Sequence, residues 1–184
     1  IYNYAREQYD YCRQIPTDNT IVIERTSDGR EPKTIFHTLY GRRVNDCLSR
    51  AVAFAIAKTQ HKDVEIALND NGFAISGSVD ATRAFKMLKS DKLDMIMAQA
   101  LENSEVYKRR FRHCATRSFM ILRNYLGKTK RVGKQQVSSM ILMSALKRID
   151  NNFSILREAR RECLEDLMDI KNAREVLSPV SYTH

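Results

Sequence analysis

The stretch VEIALNDNGFAIS, residues 64–76, predicts a β-hairpin. Two short runs rich in apolar residues flank a polar turn, in which Asn71 and Gly72 supply two residues that tolerate a positive φ. Two further β-branched and aromatic runs, TIVIER at 20–25 and KTIFHTLY at 33–40, flank the turn-rich TSDGREP. We therefore expect a small antiparallel sheet built from two hairpins.

Helical spacing accounts for most of the remaining chain. Apolar residues recur every three or four positions over 45–58, between the hairpins, and no further strand is predicted from residue 80 onward. The helical patterns run over about 80–88, 92–101, 105–125, 135–148, 155–170 and 172–177. The sequence thus predicts an α+β fold, predominantly α, in which the sheet is joined to a helical bundle.

The N-terminal residues differ from the rest. Residues 2–14 are polar and aromatic, and their helix should end before Pro16, because the residue preceding a proline is pushed out of the α region. We predict a connector helix over 1–15 and one domain over 16–178. The chain begins with Ile rather than Met, which suggests a fragment of a longer polypeptide.

Composition narrows the class of protein. The chain has 184 residues, of which 43% are hydrophobic, enough for a real core. No run approaches the length of a membrane span, and the start lacks the basic and apolar regions of a secretory signal. We therefore expect no membrane association and a cytoplasmic location.

Neither a metal site nor a catalytic residue is predicted. The cysteines show no CxxC spacing, so we expect reduced, mostly buried thiols, and the four histidines are scattered. No nucleophile is placed with a base. Five carboxylates, at Glu158, Glu162, Glu165, Asp166 and Asp169, alternate with arginines along one helical pattern, which favours ion pairs on the helix surface over a metal or acid/base pair.

The segment GKTKRVGKQQ, residues 127–136, resembles a nucleotide-binding loop only superficially. A Walker loop has four residues between its glycines, a Ser or Thr after its lysine, and a preceding strand. Here five residues intervene, Gln135 follows Lys134, and the preceding pattern is helical. We expect no ATP, Mg²⁺ or other cofactor to bind in this chain and no ATPase activity from it alone.

Positive charge is concentrated in one segment. The net charge is +9, and residues 106–149 hold 12 of the 31 basic residues and none of the 22 acidic ones. Such a segment is suited to a polyanion. The pattern also prefers Arg to Lys, and a guanidinium can engage phosphate oxygens bidentately.

A helical wheel over 105–125 separates this charge from an apolar side. Tyr107, Phe111, Cys114, Ser118, Ile121, Leu122 and Tyr125 share one face, while arginines, His113 and Asn124 occupy the other. The basic loop and a helix predicted to start at Gln135 follow, and backbone N–H groups at a helix start can receive a phosphate. Tyr107, Phe119 and Tyr125 could also stack on bases. Tyr107 and Tyr125 fall on the apolar face, however, where a position in the core is the better interpretation. The predicted nucleic-acid-binding residues are Arg109, Arg110, Arg112, Arg117, Arg123, Lys128, Lys130, Arg131, Lys134 and Gln135.

Three strings together resemble a known family. TIFHTLYGRRVNDCLSRA, RRFRHCATRSFMILRNYLGKTKRVGKQQ and FSILREARRECLEDLMDI are similar to the DEAD/H-associated domain that follows the motor domains of Lhr-type (large helicase-related) superfamily 2 helicases. The resemblance covers about 16–177. It implies that the parent polypeptide is an ATP-dependent helicase, a hydrolase that binds DNA and acts in DNA repair. ATP and Mg²⁺ would be bound by its motor domains and not by this chain.

The resemblance also implies partners and leaves two readings open. In the first, the chain is an accessory domain that lies against the motor and winged-helix domains and contacts single-stranded DNA or the strand of an RNA:DNA hybrid. In the second, it is a protein-docking module whose basic face packs on the motor domains or on an acidic partner.

Overall fold

The computed structural model describes residues 2–27, 31–125, 127–129 and 131–178, and these residues group into two compact units. The first unit contains residues up to Met97 and from Met168 onward, and the second contains Ala98–Leu167. None of the described helices combines the length and apolar character needed to cross a membrane. The prediction of a single domain over 16–178 stays a prediction.

The first unit is built on a four-stranded antiparallel sheet. Its strands lie in the order β1-β2-β4-β3, with β1 at Val22–Thr26, β2 at Lys33–His37, β3 at Glu65–Asn69 and β4 at Gly72–Ser76. The helices of this unit are α1 (Tyr2–Cys12), α2 (Arg42–Gln60), α3 (Ala81–Met87), a 3₁₀ turn at Ser90–Lys92, the first part of α4 (Leu93–Leu101), and α8 (Ile170–Val176). The two predicted hairpins and the α+β class are confirmed.

The core of this unit forms between the sheet and α2. Phe36 on β2 stacks on Phe73 of β4 with ring centroids 4.5 Å apart, and both rings are buried. Helix α2 contributes Leu48, Val52 and Ile56, which are fully buried and follow one another at helical spacing. Along β2 the buried Thr34 and Phe36 alternate with the partly exposed Ile35 and His37, so one face of the sheet is more fully covered than the other.

A buried amide ties α2 to the turn of the second hairpin. The side-chain nitrogen of Asn45 donates to the backbone carbonyls of Asn69 at 3.3 Å and Asp70 at 3.2 Å, and its side-chain oxygen accepts from the Thr38 hydroxyl at 2.6 Å. Asn45 is fully buried, so these bonds replace the water that its amide gives up on folding.

The turn of the second hairpin differs from the prediction. The two loop residues are Asp70 and Asn71, while Gly72 is the first residue of β4 and pairs with Asn69. Gly72 is required for another reason, since its φ is +156° and an added Cβ would lie 2.1 Å from the carbonyl oxygen of Phe36. The glycine therefore lets β4 approach β2.

The second unit is helical apart from one short ribbon. After the last residues of α4 it contains α5 (Glu105–Arg117), α6 (Val132–Ile149), α7 (Ser154–Arg161) and a π-helical segment at Glu162–Leu167. Between α5 and α6, β5 (Asn124–Tyr125) pairs with β6 (Lys128–Thr129). The prediction that no strand follows residue 80 is therefore wrong, and so is the single unbroken helix predicted over 155–170.

The helix predicted over 105–125 ends eight residues early. Phe119 adopts a left-handed conformation with φ +57°, which stops α5, and Ile121 donates its backbone N–H back to the carbonyl of Ala115 at 3.1 Å. The face assigned to Ser118, Ile121, Leu122 and Tyr125 on one helix is thus wrong. Ile121 is nevertheless buried, whereas Leu122 is 37% exposed and does not belong to the core as expected.

We predict that Gly72→Ala lowers the free energy of unfolding by roughly 3 kcal/mol, because the new methyl group collides with backbone that can move only if two strands separate. Gly133→Ala is the matched control. Gly133 lies in α6 with no atom within 4 Å of an added Cβ, so this change should be neutral or stabilising by up to about 1 kcal/mol. Denaturant unfolding measures both, and equal effects would contradict the role given to Gly72.

Candidate functional site

Helix α5 presents an apolar side to the core of the second unit. Tyr107, Phe111, Cys114 and Ala115 are buried at helical spacing, and the Tyr107 hydroxyl donates to the carbonyl of Leu156 at 3.3 Å. This bond and the burial of the ring assign Tyr107 to the core, not to base stacking. The Ser104 hydroxyl accepts from the N–H of Tyr107 at 3.2 Å and so caps the start of the helix.

The opposite side of α5 carries a group of arginines around His113. Arg109 is exposed and Arg112 is half-buried. Partial burial lowers the pKa of His113 below its usual value, and the positive charges of Arg112, Arg110, Arg123 and Arg109 lower it further. Four guanidinium groups therefore act on one imidazole, which locates a centre of positive potential on this side of the helix.

Two arginines of α5, Arg110 from this group and Arg117, are paired with a carboxylate inside the unit. Glu162, the first residue of the π-helical segment, is only 3% exposed. Arg117 donates a hydrogen bond to its Oε1, and Arg110 lies 3.6 Å from its Oε2, which accepts no hydrogen bond from the described residues. The bond to Glu162 raises the pKa of Arg117. Arg110 and Arg117 thus stabilise a buried charge, and Glu162 does not form the surface ion pair that the sequence suggested.

Three of the other carboxylates of that pattern form the expected surface ion pairs, whereas Asp169 caps the start of α8 by accepting from the N–H of Asn172 at 3.1 Å. Arg161 forms ion pairs with Glu158 at 2.8 Å, Glu165 at 3.4 Å and Asp166 at 3.2 Å, and all four side chains are exposed to solvent. Among the described residues no group of three or more His, Cys, Asp or Glu could hold a metal ion.

Beyond α5, further cations lie on the segment that leads into α6. Arg123 precedes β5 rather than lying on a helix, Lys128 is in β6, and Arg131 and Lys134 flank the start of α6. All four are exposed. Lys130 lies outside the described residues. With two residues of α5, these side chains form no ion pair with any described carboxylate, and we call them the outer cations: Arg109, Arg112, Arg123, Lys128, Arg131 and Lys134.

The start of α6 corrects the role given to Gln135. The helix begins at Val132, three residues before the predicted start, and the N–H of Gln135 donates to the carbonyl of Arg131 at 3.1 Å. The backbone N–H groups left without a partner inside the helix are therefore those that precede Gln135. If a phosphate binds at this helix start, Val132, Gly133 and Lys134 would supply the amides.

A groove of about 690 Å³ lies between α5 and α6. Its α5 wall includes Lys108, Arg109 and Arg112, and its α6 wall includes Gly133, Val137 and Met140. The outer cations of α5 therefore stand beside the first turn of α6, with apolar side chains along the opposite wall. A groove of this kind can accept an extended, negatively charged chain.

The sequence missed Glu162 and the left-handed turn at Phe119. A signal for Glu162 does exist, because it follows Ile155 and Ala159 at helical spacing and these two residues are buried. A carboxylate on an apolar face must find a cation. No comparable signal marks the turn, since neither Gly nor Pro occurs between Cys114 and Tyr125.

Comparison with known proteins gives a consistent picture. Residues 15–183 match the family model described as DEAD/H associated. The chain is 47% identical over 180 residues, 96% of its length, to ATP-dependent helicase Lhr-Core of Methanothermobacter thermautotrophicus. It is 41% identical over 98% of its length to the protein of the same name from Sulfolobus acidocaldarius. In both cases it spans about a fifth of the relative.

A solved structure agrees with these sequence matches. The structure of Mycobacterium smegmatis helicase Lhr bound to ssDNA and AMP-PNP superimposes with a TM-score of 0.78 and 28% identity. The match covers 94% of this chain and 22% of that one.

We predict that Glu162→Gln lowers the free energy of unfolding by about 1 to 3 kcal/mol, because Arg110 and Arg117 lose the charge that they neutralise. Glu165→Gln removes one carboxylate from an exposed position and should change it by less than about 0.5 kcal/mol. Denaturant unfolding distinguishes the two, and a Glu162→Gln variant as stable as its control would show that the buried pair contributes nothing.

The arrangement around His113 predicts a pH effect. A nearby positive charge disfavours the imidazolium, so removing it should raise the pKa of His113 from its lowered value toward the usual one. Arg112→Gln is therefore expected to shift the His113 titration to higher pH, measured by NMR of the imidazole protons. Arg83→Gln in the first unit removes the same charge and should leave the titration unchanged. A titration unaffected by Arg112→Gln would mean that the arginines do not converge on His113.

Proposed function

The chain belongs to the DEAD/H-associated domain family of Lhr-type helicases, and on this premise we propose that it is an accessory domain that binds a single strand of nucleic acid for an ATP-dependent helicase. The outer cations would contact the sugar-phosphate backbone of the strand that the motor domains track or release. The observation that carries the proposal is that five of these six side chains are exposed and Arg112 is half-buried, while none of them has an acidic partner in the described part of the chain.

The chemistry of the outer cations suits a phosphate backbone. Four of the six are arginines, whose planar guanidinium can donate two parallel hydrogen bonds to one phosphate. They lie on α5, on the segment before β5, in β6 and at the start of α6. The set therefore extends from the groove between α5 and α6 to the two-stranded ribbon. Contacts of this type position a strand without reading its bases.

The nucleotide and Mg²⁺ that the family implies do not fit this chain. The second glycine of the loop-like segment, Gly133, is the second residue of α6, and the residue after Lys134 is Gln135, which has no hydroxyl for a metal. We propose that motor domains elsewhere in the polypeptide bind both, and that this domain packs against those domains and the winged-helix domain in the cytoplasm. RNA:DNA hybrids as substrates and a role in DNA repair belong to the same proposal.

One observation favours the docking alternative. Val137, Met140 and Ile141 are 58%, 56% and 66% exposed. Met140 and Ile141 follow Val137 by three and four residues on α6, so the three side chains share one face of the helix. Apolar side chains in such a row commonly pack against another protein surface. The basic residues would then meet acidic groups of the same partner.

We predict that the affinity of the chain for a single-stranded oligonucleotide falls with salt, with a slope of log affinity against log salt of roughly −0.7 per phosphate neutralised. Replacing Arg112 and Arg123 together by Gln should make this slope shallower, because fewer counterions are released. Sequence preference should not change. Fluorescence anisotropy across a salt series, with oligonucleotides of different sequence, measures both quantities.

The matched control is Arg83→Gln with Lys171→Gln, which removes the same charge from exposed positions in the first unit. This variant should keep the slope of the original chain. If both variants lower the slope equally, binding depends on net charge and not on the outer cations. If neither does, the basic face is better explained as a protein-docking surface.

A further inference from the structure

Phe119 combines an exposed ring with an unusual backbone. Its side chain is 79% exposed, and none of the other phenylalanines that the structure describes is exposed. Its φ is +57°. A phenylalanine is rare in the left-handed region, because its Cβ crowds the backbone there. Neither feature is explained by packing, since the ring contributes little to the core.

The backbone around Phe119 holds the ring in place. Its own N–H donates to the carbonyl of Thr116 at 3.2 Å, that of Ser118 to Cys114 at 2.9 Å, and that of Ile121 to Ala115 at 3.1 Å. These bonds close the end of α5 in the manner of a C-terminal cap, where the left-handed position is usually glycine. Ile121, which is buried, fixes the far side of the turn. The ring is therefore projected from a well-defined turn and not from a loose loop.

The position of Phe119 along the chain places it among the cations described above. Arg117 lies two residues before it and Arg123, one of the outer cations, four residues after it. The N–H of Ile121 bonds to the carbonyl of Ala115 at 3.1 Å, so the segment that follows Phe119 and leads to Arg123 returns to the end of α5. An exposed aromatic ring beside a phosphate-binding surface is the combination by which many proteins hold unpaired bases.

We propose that Phe119 stacks on a base of the bound single strand while the outer cations hold its backbone. The inference rests on the proposed function and extends it, since it names the part of the ligand, an unpaired base, that the turn recognises. A strained backbone at an exposed residue persists where the residue has a use that a glycine cannot fulfil. Stacking is tolerant of sequence, because every base has a π-face.

The test uses Phe119→Gly, because glycine accepts the left-handed conformation better than phenylalanine does. This variant should unfold at the same or a higher denaturant concentration than the original chain. It should nevertheless bind oligo-dT roughly 5- to 150-fold more weakly, the range that loss of one stacked base implies. Phe119→Trp keeps a ring and should bind as well as the original, whereas Phe119→Leu keeps apolar bulk without a ring and should bind as weakly as Phe119→Gly.

An abasic strand of the same length separates bases from phosphates. The original chain and Phe119→Gly should bind it equally, because it offers the backbone but no base to stack. If Phe119→Gly weakens binding to both strands by the same factor, or weakens neither, the stacking role is wrong. If Phe119→Leu binds oligo-dT like the original, the site requires apolar bulk and the turn is better described as part of a protein interface.

The same measurements separate this inference from the proposed function. Salt-dependent binding that is lost with Arg112 and Arg123 but indifferent to Phe119 would overturn the stacking role alone. A chain that binds neither strand in a salt-dependent way would overturn the proposed function, and the role of Phe119 would fall with it.

Discussion

The burial of one carboxylate organises the second unit. Glu162 is almost completely removed from water, and a desolvated carboxylate is costly unless cations and hydrogen-bond donors replace the solvent. Arg110 and Arg117 of α5 supply those charges across 45 or more residues of sequence. The pairing connects α5 to the π-helical segment, since Arg110, whose side chain is partly buried, and the more exposed Arg117 both reach Glu162. Arg109 and Arg112 are then left to face the groove and the solvent.

The pairing with Glu162 divides the basic segment into two functional groups of residues. A run of arginines without acids looks uniform in the sequence, yet the fold separates it into a structural pair and a set available to a ligand. The π-helical segment contributes to the separation. It begins at Glu162, directly where α7 ends, and the wider turn changes the direction of the side chains that follow. The buried Cys114 lies beside the ion pair, since Arg117 donates to its Sγ at 3.3 Å, and burial raises the pKa of its thiol.

The sequence predicted those features that depend on neighbouring residues. The alternation in residues 64–76 and the apolar spacing in α2 and α5 are local patterns, and the structure confirms them. The turn at Phe119 could not be predicted, because no glycine marks the left-handed position and the apolar spacing continues through Ile121 by coincidence. Gln135 was misplaced since α6 starts at Val132 without a side-chain cap. Glu162 required a partner distant in sequence, which local patterns do not reveal.

On the proposed function, this domain would assist a moving motor, and such a domain needs contacts that hold a strand and release it. Backbone contacts by the outer cations meet this need, since each phosphate is equivalent to the next and a step of one nucleotide restores the same interactions. Stacking on a single aromatic ring has the same property. Such a site is individually weak, but a second site on the same polypeptide raises the effective concentration of the strand and makes weak binding sufficient. The pairing of Arg110 and Arg117 with Glu162 is compatible with the proposed function, because guanidinium groups that already have a carboxylate partner add less to the binding of phosphates.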